Sequence, residues 1–495
     1  MDENQEPIRK NKSVTETERY LKKLCDKTFL SLWSYPNVFR DQKDGLNPEG
    51  KELCDLLVVF DNHVIIFSDK RVAFPETGDL GLDWARWYRK AVKESAKQAF
   101  GAERWIRKFP DRIFLDRACS IPFPYDLPKS SEMKVHIIVV SHEASKRCKK
   151  EMGGSGSMML VSNVDGYDSN KPFTISDCDR SKTFVHVLDD TSMDVLLKTN
   201  DTVSDFVEYL TKKEFFFRSG NPFSAAGEEE LLAYYLRNIG PDGKHDFSFD
   251  KKYKSLVIQE GCWQEFADDP IRKGQVLANE VSYFWDELIE RFSFHVIEGT
   301  QYNYSTTPVV QDAERVLRVM AAEPRTHRRI LSKAFLEIIN SSNHAMVTKR
   351  LVKPINSESP HYLFLLWPRI ENISAKDYRN VRNNALYANC LGFKYRLPDI
   401  EDIVGIAVEP GVDFLNSEDA MYLDVSDWSA ESQKDAEELM KKFGIPYNAP
   451  TAQHRTEKEY PDLMKEPLLK SNKFSRNELC LCGSGLKYKK CQCPL

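Results

Sequence analysis

The chain has 495 residues, 41% of them hydrophobic, with 70 Lys and Arg against 75 Asp and Glu for a net charge of −5. That length predicts two or three domains with sizeable cores, and the near-balanced charge confines any polyanion contact to local basic surfaces. No run approaches the roughly 18 apolar residues of a membrane span, and the opening MDENQEPIRKNKSVTETERY has no apolar signal-peptide centre. The expectation is a cytoplasmic protein with no membrane insertion, whose scattered cysteines Cys25, Cys54, Cys119, Cys148, Cys178, Cys262 and Cys390 are reduced.

In chain order, SVTETERYLKKLCDKTFLSLW places Tyr20, Leu21, Leu24 and Phe29 on one helical stripe. After the polar RDQKDGLNPEG, the stretch GKELCDLLVVFDNHVIIFSDKR reads as two strands around a tight turn. DWARWYRKAVKESAKQAFGAERWIRKF favours a long helix, KVHIIVVSH a strand, GGSGS at 153–157 a flexible loop and TFVHVLDD a further strand. These make residues 1–190 a mixed α/β domain. Over 191–446 helices predominate, in DTVSDFVEYLTKKEFFF, GEEELLAYYLRNI, GQVLANEVSYFWDELIERF, QDAERVLRVMAAEPRTHRRILSKAFLEIINS and AESQKDAEELMKKFGI, with strands at HYLFLLWP and DIVGIAVE. This is a helix-rich α+β accessory region whose role its pattern does not reveal. Residues 447–473, polar and proline-punctuated, read as a linker to a small module at 474–495.

The hairpin carries the chemistry. Alternation puts Leu53, Asp55, Leu57 and Val59 on one face, and a two-residue turn at Asp61 and Asn62 pairs Phe60 with His63. Counting back, Asp55 falls opposite Ser68, with Lys70 one step along on the same face. A carboxylate beside an ammonium suits phosphodiester hydrolysis: the hard oxygen holds Mg²⁺ or Mn²⁺ and the cation steadies charge on phosphate. The structural alternative is a buried Asp55–Lys70 salt bridge, itself weak evidence of stability.

An Asp in one strand, a short turn and a Lys in the next resemble the core of the PD-(D/E)xK nuclease superfamily. The resemblance implies a restriction-endonuclease-like mixed sheet flanked by helices and a metal-dependent nuclease. Ser68 stands where that family has a carboxylate, and serine is a poor anionic ligand. Three acids are candidates to compensate. Asp69 adjoins Lys70 but needs a bulge at Ser68 and Asp69 to reach the face of Asp55. Glu52 lies off that face unless the strand starts after it. Glu18 resembles the family's helix-borne acid, so Asp55 and Glu18 together are the expected cation ligands, although Glu18 also completes a Thr15-x-x-Glu18 capping box.

On the helix after the Lys strand, Trp84, Tyr88, Ala91, Ser95, Gln98, Ala102 and Trp105 share a stripe, and Gln98 matches the polar residue that many superfamily members place toward the active site. Around it lie Arg86, Arg89, Lys90, Lys93, Lys97, Arg104, Arg107 and Lys108, opposed only by Glu94 and Glu103. A cationic face interleaved with tryptophans suits a nucleic-acid backbone, and a solvated helix face is the equal alternative.

In the tail RNELCLCGSGLKYKKCQCPL, Cys480, Cys482, Cys491 and Cys493 supply four soft ligands, enough to close a tetrahedral Zn²⁺ site in a segment too short for a core. The tail resembles the SEC-C motif, which usually ends Cys-Cys or Cys-His, whereas here Gln492 intervenes before Cys493. The resemblance implies a docking module for a protein partner and a bacterial origin. His136 and His142 flank one strand and read as packing or capping residues, and GGSGS lacks the Lys and helix of a phosphate loop. Two functions are therefore expected. The first is a metal-dependent nuclease acting on DNA in preference to RNA, in genome defence or repair. The second is an inactive nuclease-fold adaptor or sensor that uses the basic helix and the SEC-C tail.

Overall fold

Helix α1 (Glu16–Trp33) begins in a reciprocal capping box, in which the Glu18 N–H donates to Thr15 Oγ1 and the Glu18 carboxylate accepts from the Thr15 N–H. It is interrupted at Leu30, whose φ of 62° lies in the left-handed region, and Glu290 catches the Ser31 N–H there at 2.5 Å. This computed structural model describes residues 6–41, 49–162, 171–250, 252–300, 310–341, 343, 345–356, 359–410, 418–448 and 457–461.

Strands β1 (Ser34–Arg40), β2 (Lys51–Phe60) and β3 (His63–Arg71) follow as an antiparallel meander. The turn sets the register: Asp61 adopts a φ of 51°, Phe60 pairs with His63, and the ladder runs to Leu56 opposite Phe67. The chain then crosses the sheet as α2 (Leu80–Tyr88), a π turn at Arg89–Lys93 and α3 (Glu94–Lys108), passes the short β4 (Ile113–Phe114), and enters β5 (Lys134–His142) parallel to β3. Helix α4 (Ser145–Met152) and strands β6 (Met159–Val161) and β7 (Thr174–Ile175) precede β8 (Val185–Leu188), which lies parallel to β5. The six-stranded order is β4-β1-β2-β3-β5-β8. This is the mixed α/β sheet that the sequence predicts, and its runs of Val, Ile and Leu are buried because helices cover both faces.

Next come α5 (Asp190–Thr199), α6 (Val203–Arg218), β9 (Phe223–Ala225), α7 (Glu228–Arg237), β10 (Leu256–Ile258), α8 (Cys262–Asp268), α9 (Pro270–Asn279), α10 (Tyr283–Ile297), α11 (Val310–Ala321) and α12 (Arg325–Ser341). Strands β6, β7, β9 and β10 form a second, four-stranded sheet. The third sheet, β11 (Thr348–Val352), β12 (His361–Leu366), β13 (Asp402–Val408) and β14 (Asp419–Asp424), carries α13 (Ala375–Arg396) and α14 (Ala430–Lys442). One buried apolar cluster extends from Leu21 to Val408, joining the first sheet to the helical middle, with Phe29 edge-on to Phe206 at 5.1 Å. Among the described residues no helix is long and apolar enough to cross a membrane.

Candidate functional site

The β2–β3 ladder stops at Leu56 and Phe67, and beyond it a side chain takes over from the backbone: the Asp69 N–H donates to Asp55 Oδ2 at 2.6 Å. Continuing the register places Asp55 opposite Ser68, with Lys70 on the same face. Burial pushes the Asp55 carboxyl up to about 7, the Asp69 N–H opposes that rise, and the negative charges of Glu52, Glu18 and Asp69 add to it. Glu52 is raised by burial and then by Glu18, against the pull of Arg117 and Lys70. Asp55, Glu52, Glu18, Asp69 and Lys70 thus feel one another's fields at a single end of the sheet. Asp55 and Lys70 form no direct ion pair among the described residues, so the buried salt bridge is not what holds them.

The three compensating acids are not equivalent. Asp69 stays on the opposite face from Asp55, because β3 pairs with β5 without a register shift from His63 to Arg71, and no bulge forms at Ser68 and Asp69. Its carboxylate, almost fully buried, instead accepts from His142 Nε2 at 2.5 Å. Glu52 lies inside β2, opposite Phe39 just past a bulge in β1, with much of its side chain open to solvent and its carboxylate only partly desolvated. Glu18 spends Oε2 on the Val14 and Thr15 N–H groups, at 2.8 and 3.2 Å. Gln98 is exposed on α3: Ser95 and Ala102 of the predicted stripe are buried, but Ala99 and Ile106 take the buried places expected of Gln98 and Trp105.

His142 is the residue that sequence reasoning placed among packing histidines. It ends β5, and its imidazole bridges Asp69 and Asp190, the latter through Nδ1 at 2.5 Å. Burial alone would lower it, but the hydrogen bonds to Asp190 and Asp69 carry it up to about 9. The same bond holds Asp190, at the start of α5, below its ordinary range despite its partial burial. Lys70, His142 and Asp190 all lie at the carboxyl ends of the parallel strands β3, β5 and β8 or just beyond them, where open α/β sheets bind ligands.

Beside this end, α2 and the π turn expose Arg86, Arg89, Lys90 and Lys93, while the exposed Lys97, Arg104 and Lys108 continue along α3 toward the other end of β5, where Arg107 donates to the Ser130 and Met133 carbonyls. Arg107 is drawn back onto Glu103 at 2.9 Å. Arg86, Arg89 and Lys90 border a cleft of about 380 Å³ whose far wall is Val72, Ala73 and Pro75. Trp84 and Trp87 are fully buried in the core, and the half-buried Trp105 stacks on Arg40 and Arg112, so the cationic face offers charge without free aromatic platforms.

The oxygens at the sheet end are of the hard type that Mg²⁺ and Mn²⁺ take. Among the described residues, however, no three His, Cys, Asp or Glu side chains come together as a ready metal shell. Cys480, Cys482, Cys491 and Cys493 lie outside the described residues. The SEC-C motif family model matches residues 476–493, the span that holds all four. No curated protein and no solved structure matches the chain.

Proposed function

We propose that the N-terminal region is a metal-dependent phosphodiesterase of the PD-(D/E)xK kind acting on nucleic acid, DNA ahead of RNA. The observation that carries this reading is Asp55, pushed up to about 7 at the broken end of the hairpin ladder, with Lys70 on its face and the exposed cations of α2 and the π turn by the end of β3. First helix, Asp strand, tight turn, Lys strand and following helix also come in the order that the resemblance implies.

Asp55, through the carboxylate oxygen not used by the Asp69 N–H, would hold a divalent cation, with Glu52 and Glu18 the acids whose fields already reach it. The bound cation supplies Lewis acidity and a more acidic water. Lys70 neutralises charge that develops on the phosphate, and Ser68 offers a hydroxyl to a water in place of the missing carboxylate. Arg86, Arg89 and Lys90 take the flanking phosphates. The SEC-C tail adds a Zn²⁺-bound docking module for a protein partner, an arrangement that suits a bacterial genome-defence or repair effector by analogy.

The second reading is an inactive adaptor or sensor. It is favoured by Asp69 being committed to His142 and by the lack of a ready three-ligand shell among the described residues. Cleavage of labelled single- and double-stranded DNA and RNA with Mg²⁺ or Mn²⁺ separates the two. Loss of cleavage in both Asp55→Ala and Lys70→Ala, with fold and zinc content intact, supports the nuclease. Well-folded native protein that cuts none of these substrates, while still binding them, supports the adaptor.

A further inference from the structure

Residues 457–461, Glu-Lys-Glu-Tyr-Pro, lie within the stretch that reads as a linker, yet they sit in a groove between α7, α9 and α12. Arg329 of α12 is fully buried, and its guanidinium donates to the carbonyls of Lys458 and of Glu459, the latter at 3.2 Å, as well as to Asn279 Oδ1 of α9. Lys333 pairs with the Glu457 carboxylate. Glu459 accepts from His245 Nε2 at 2.9 Å and from the buried Gln275 Nε2 at 2.8 Å. Tyr460 stands edge-on to the His245 ring and donates to the Leu236 carbonyl at 3.4 Å, and Pro461 is buried.

Each kind of group in the segment has a matching one in the groove. Carboxylates meet an ammonium, an amide and an imidazole, main-chain carbonyls meet a guanidinium, and the aromatic ring meets an aromatic edge. The Arg329 bond to Asn279 Oδ1, at 2.9 Å, lies within the helices, so the segment completes the hydrogen bonding of a guanidinium that they already hold in place, and Gln275 Nε2 gives its bond to Glu459. The groove is therefore complementary to an occupant of this chemistry.

We propose that the groove between α7, α9 and α12 is a recognition site for a short acidic–aromatic peptide, with residues 457–461 as its ligand in cis. The root of the SEC-C tail is then fixed to the helical region by a contact that a protein partner presenting a Glu-x-Glu-Tyr-Pro-like segment exchanges for its own.

The test uses the full chain and a fluorescein-labelled peptide spanning residues 455–463, read by anisotropy. A ligand tethered in cis acts at an effective concentration on the order of millimolar, so a peptide of about micromolar affinity should bind native protein roughly a thousandfold more weakly than a latch-broken chain. The triple variant Glu457→Gln, Glu459→Gln, Tyr460→Ala should therefore bind the peptide strongly, and a scrambled peptide should not bind. Glu459→Gln alone, which keeps the rest of the segment, should give an intermediate gain of about tenfold and covers the event that the triple variant misfolds. Equal binding to native and variant chains would show that the groove is not filled in cis. No binding to either folded variant would reduce the contact to ordinary packing and overturn the proposal.

Discussion

Asp55→Asn should make the protein more stable at alkaline pH, which is unusual for a substitution of a buried hydrogen-bonded carboxylate. Asp55 moves from an ordinary 3.8 to about 7 on folding, chiefly because burial disfavours the charged form. Between those values the folded state holds a proton that the unfolded state has released, so stability falls as pH rises through that window. About three pKa units at 1.36 kcal/mol each make an upper bound of roughly 4 kcal/mol above pH 7. Asparagine cannot ionise and still offers an oxygen to the Asp69 N–H, so it removes that penalty and keeps the bond. Urea unfolding followed by tryptophan fluorescence at pH 8.5 and pH 5.5 measures the effect. The variant should exceed the native protein by about 2 to 4 kcal/mol at pH 8.5, and the gap should narrow by roughly 2 kcal/mol at pH 5.5, where the native carboxyl regains its proton. Mn²⁺ should stabilise the native protein at pH 8.5 and not the variant, because a cation that binds only the folded carboxylate acts by mass action. A variant less stable than native at pH 8.5, or a gap that ignores pH, would refute the account of Asp55 as an acid held against its solvation.

His142→Gln should show the opposite pH trend. A His raised to about 9 by Asp190 and Asp69 contributes stability in full below its ordinary 6.5 and loses it as pH climbs to 9, so the variant should melt well below native at pH 6 and converge with it near pH 10. A constant melting difference across that range would mean that the imidazole is neutral where it bridges. Arg89→Glu with Lys90→Glu should weaken duplex DNA binding and lower the slope of log affinity against log salt by about 2, one phosphate contact for each residue. An unchanged slope would put the phosphate surface elsewhere.

What the sequence revealed was local. The two-residue turn set the hairpin register, and the Thr15-x-x-Glu18 box is formed as spaced. What it concealed depends on partners far along the chain. His142 meets Asp69 and Asp190 across separations of 73 and 48 residues, through parallel pairings that no hairpin rule supplies. Helix α13, which no apolar stripe announces, buries Arg382, Asn383, Asn389 and Lys394 on its packed side, where Asp419 takes the Arg382 guanidinium and the Pro398 carbonyl takes the Lys394 ammonium. Gln98 misled because between Ser95 and Ala102 the buried face of α3 takes Ala99 rather than Gln98, a choice that a stripe of three- and four-residue steps leaves open. The docked segment at 457–461 read as linker because its side chains are polar, and its groove is built from α7, α9 and α12, more than a hundred residues earlier.

The position of Asp55 follows from the way the sheet ends. A continuing ladder would give the Asp69 N–H a backbone acceptor and bury more strand, but the chain uses a carboxyl oxygen instead, at a place where burial disfavours its charged form. On the other face, Asp69 is fixed by an imidazole that Asp190 keeps charged. That arrangement holds the β3 backbone, and with it the donor to Asp55 and the start of Lys70, in a defined position. His142 is therefore expected to act on the Asp55 face only by positioning the β3 backbone. His142→Gln should shift the apparent pKa of Asp55, followed by carboxylate NMR, while Asp190→Asn shifts it less, because Asp190 reaches Asp55 only through the imidazole. An Asp55 titration unmoved by either change would mean that the two faces of the sheet end are independent.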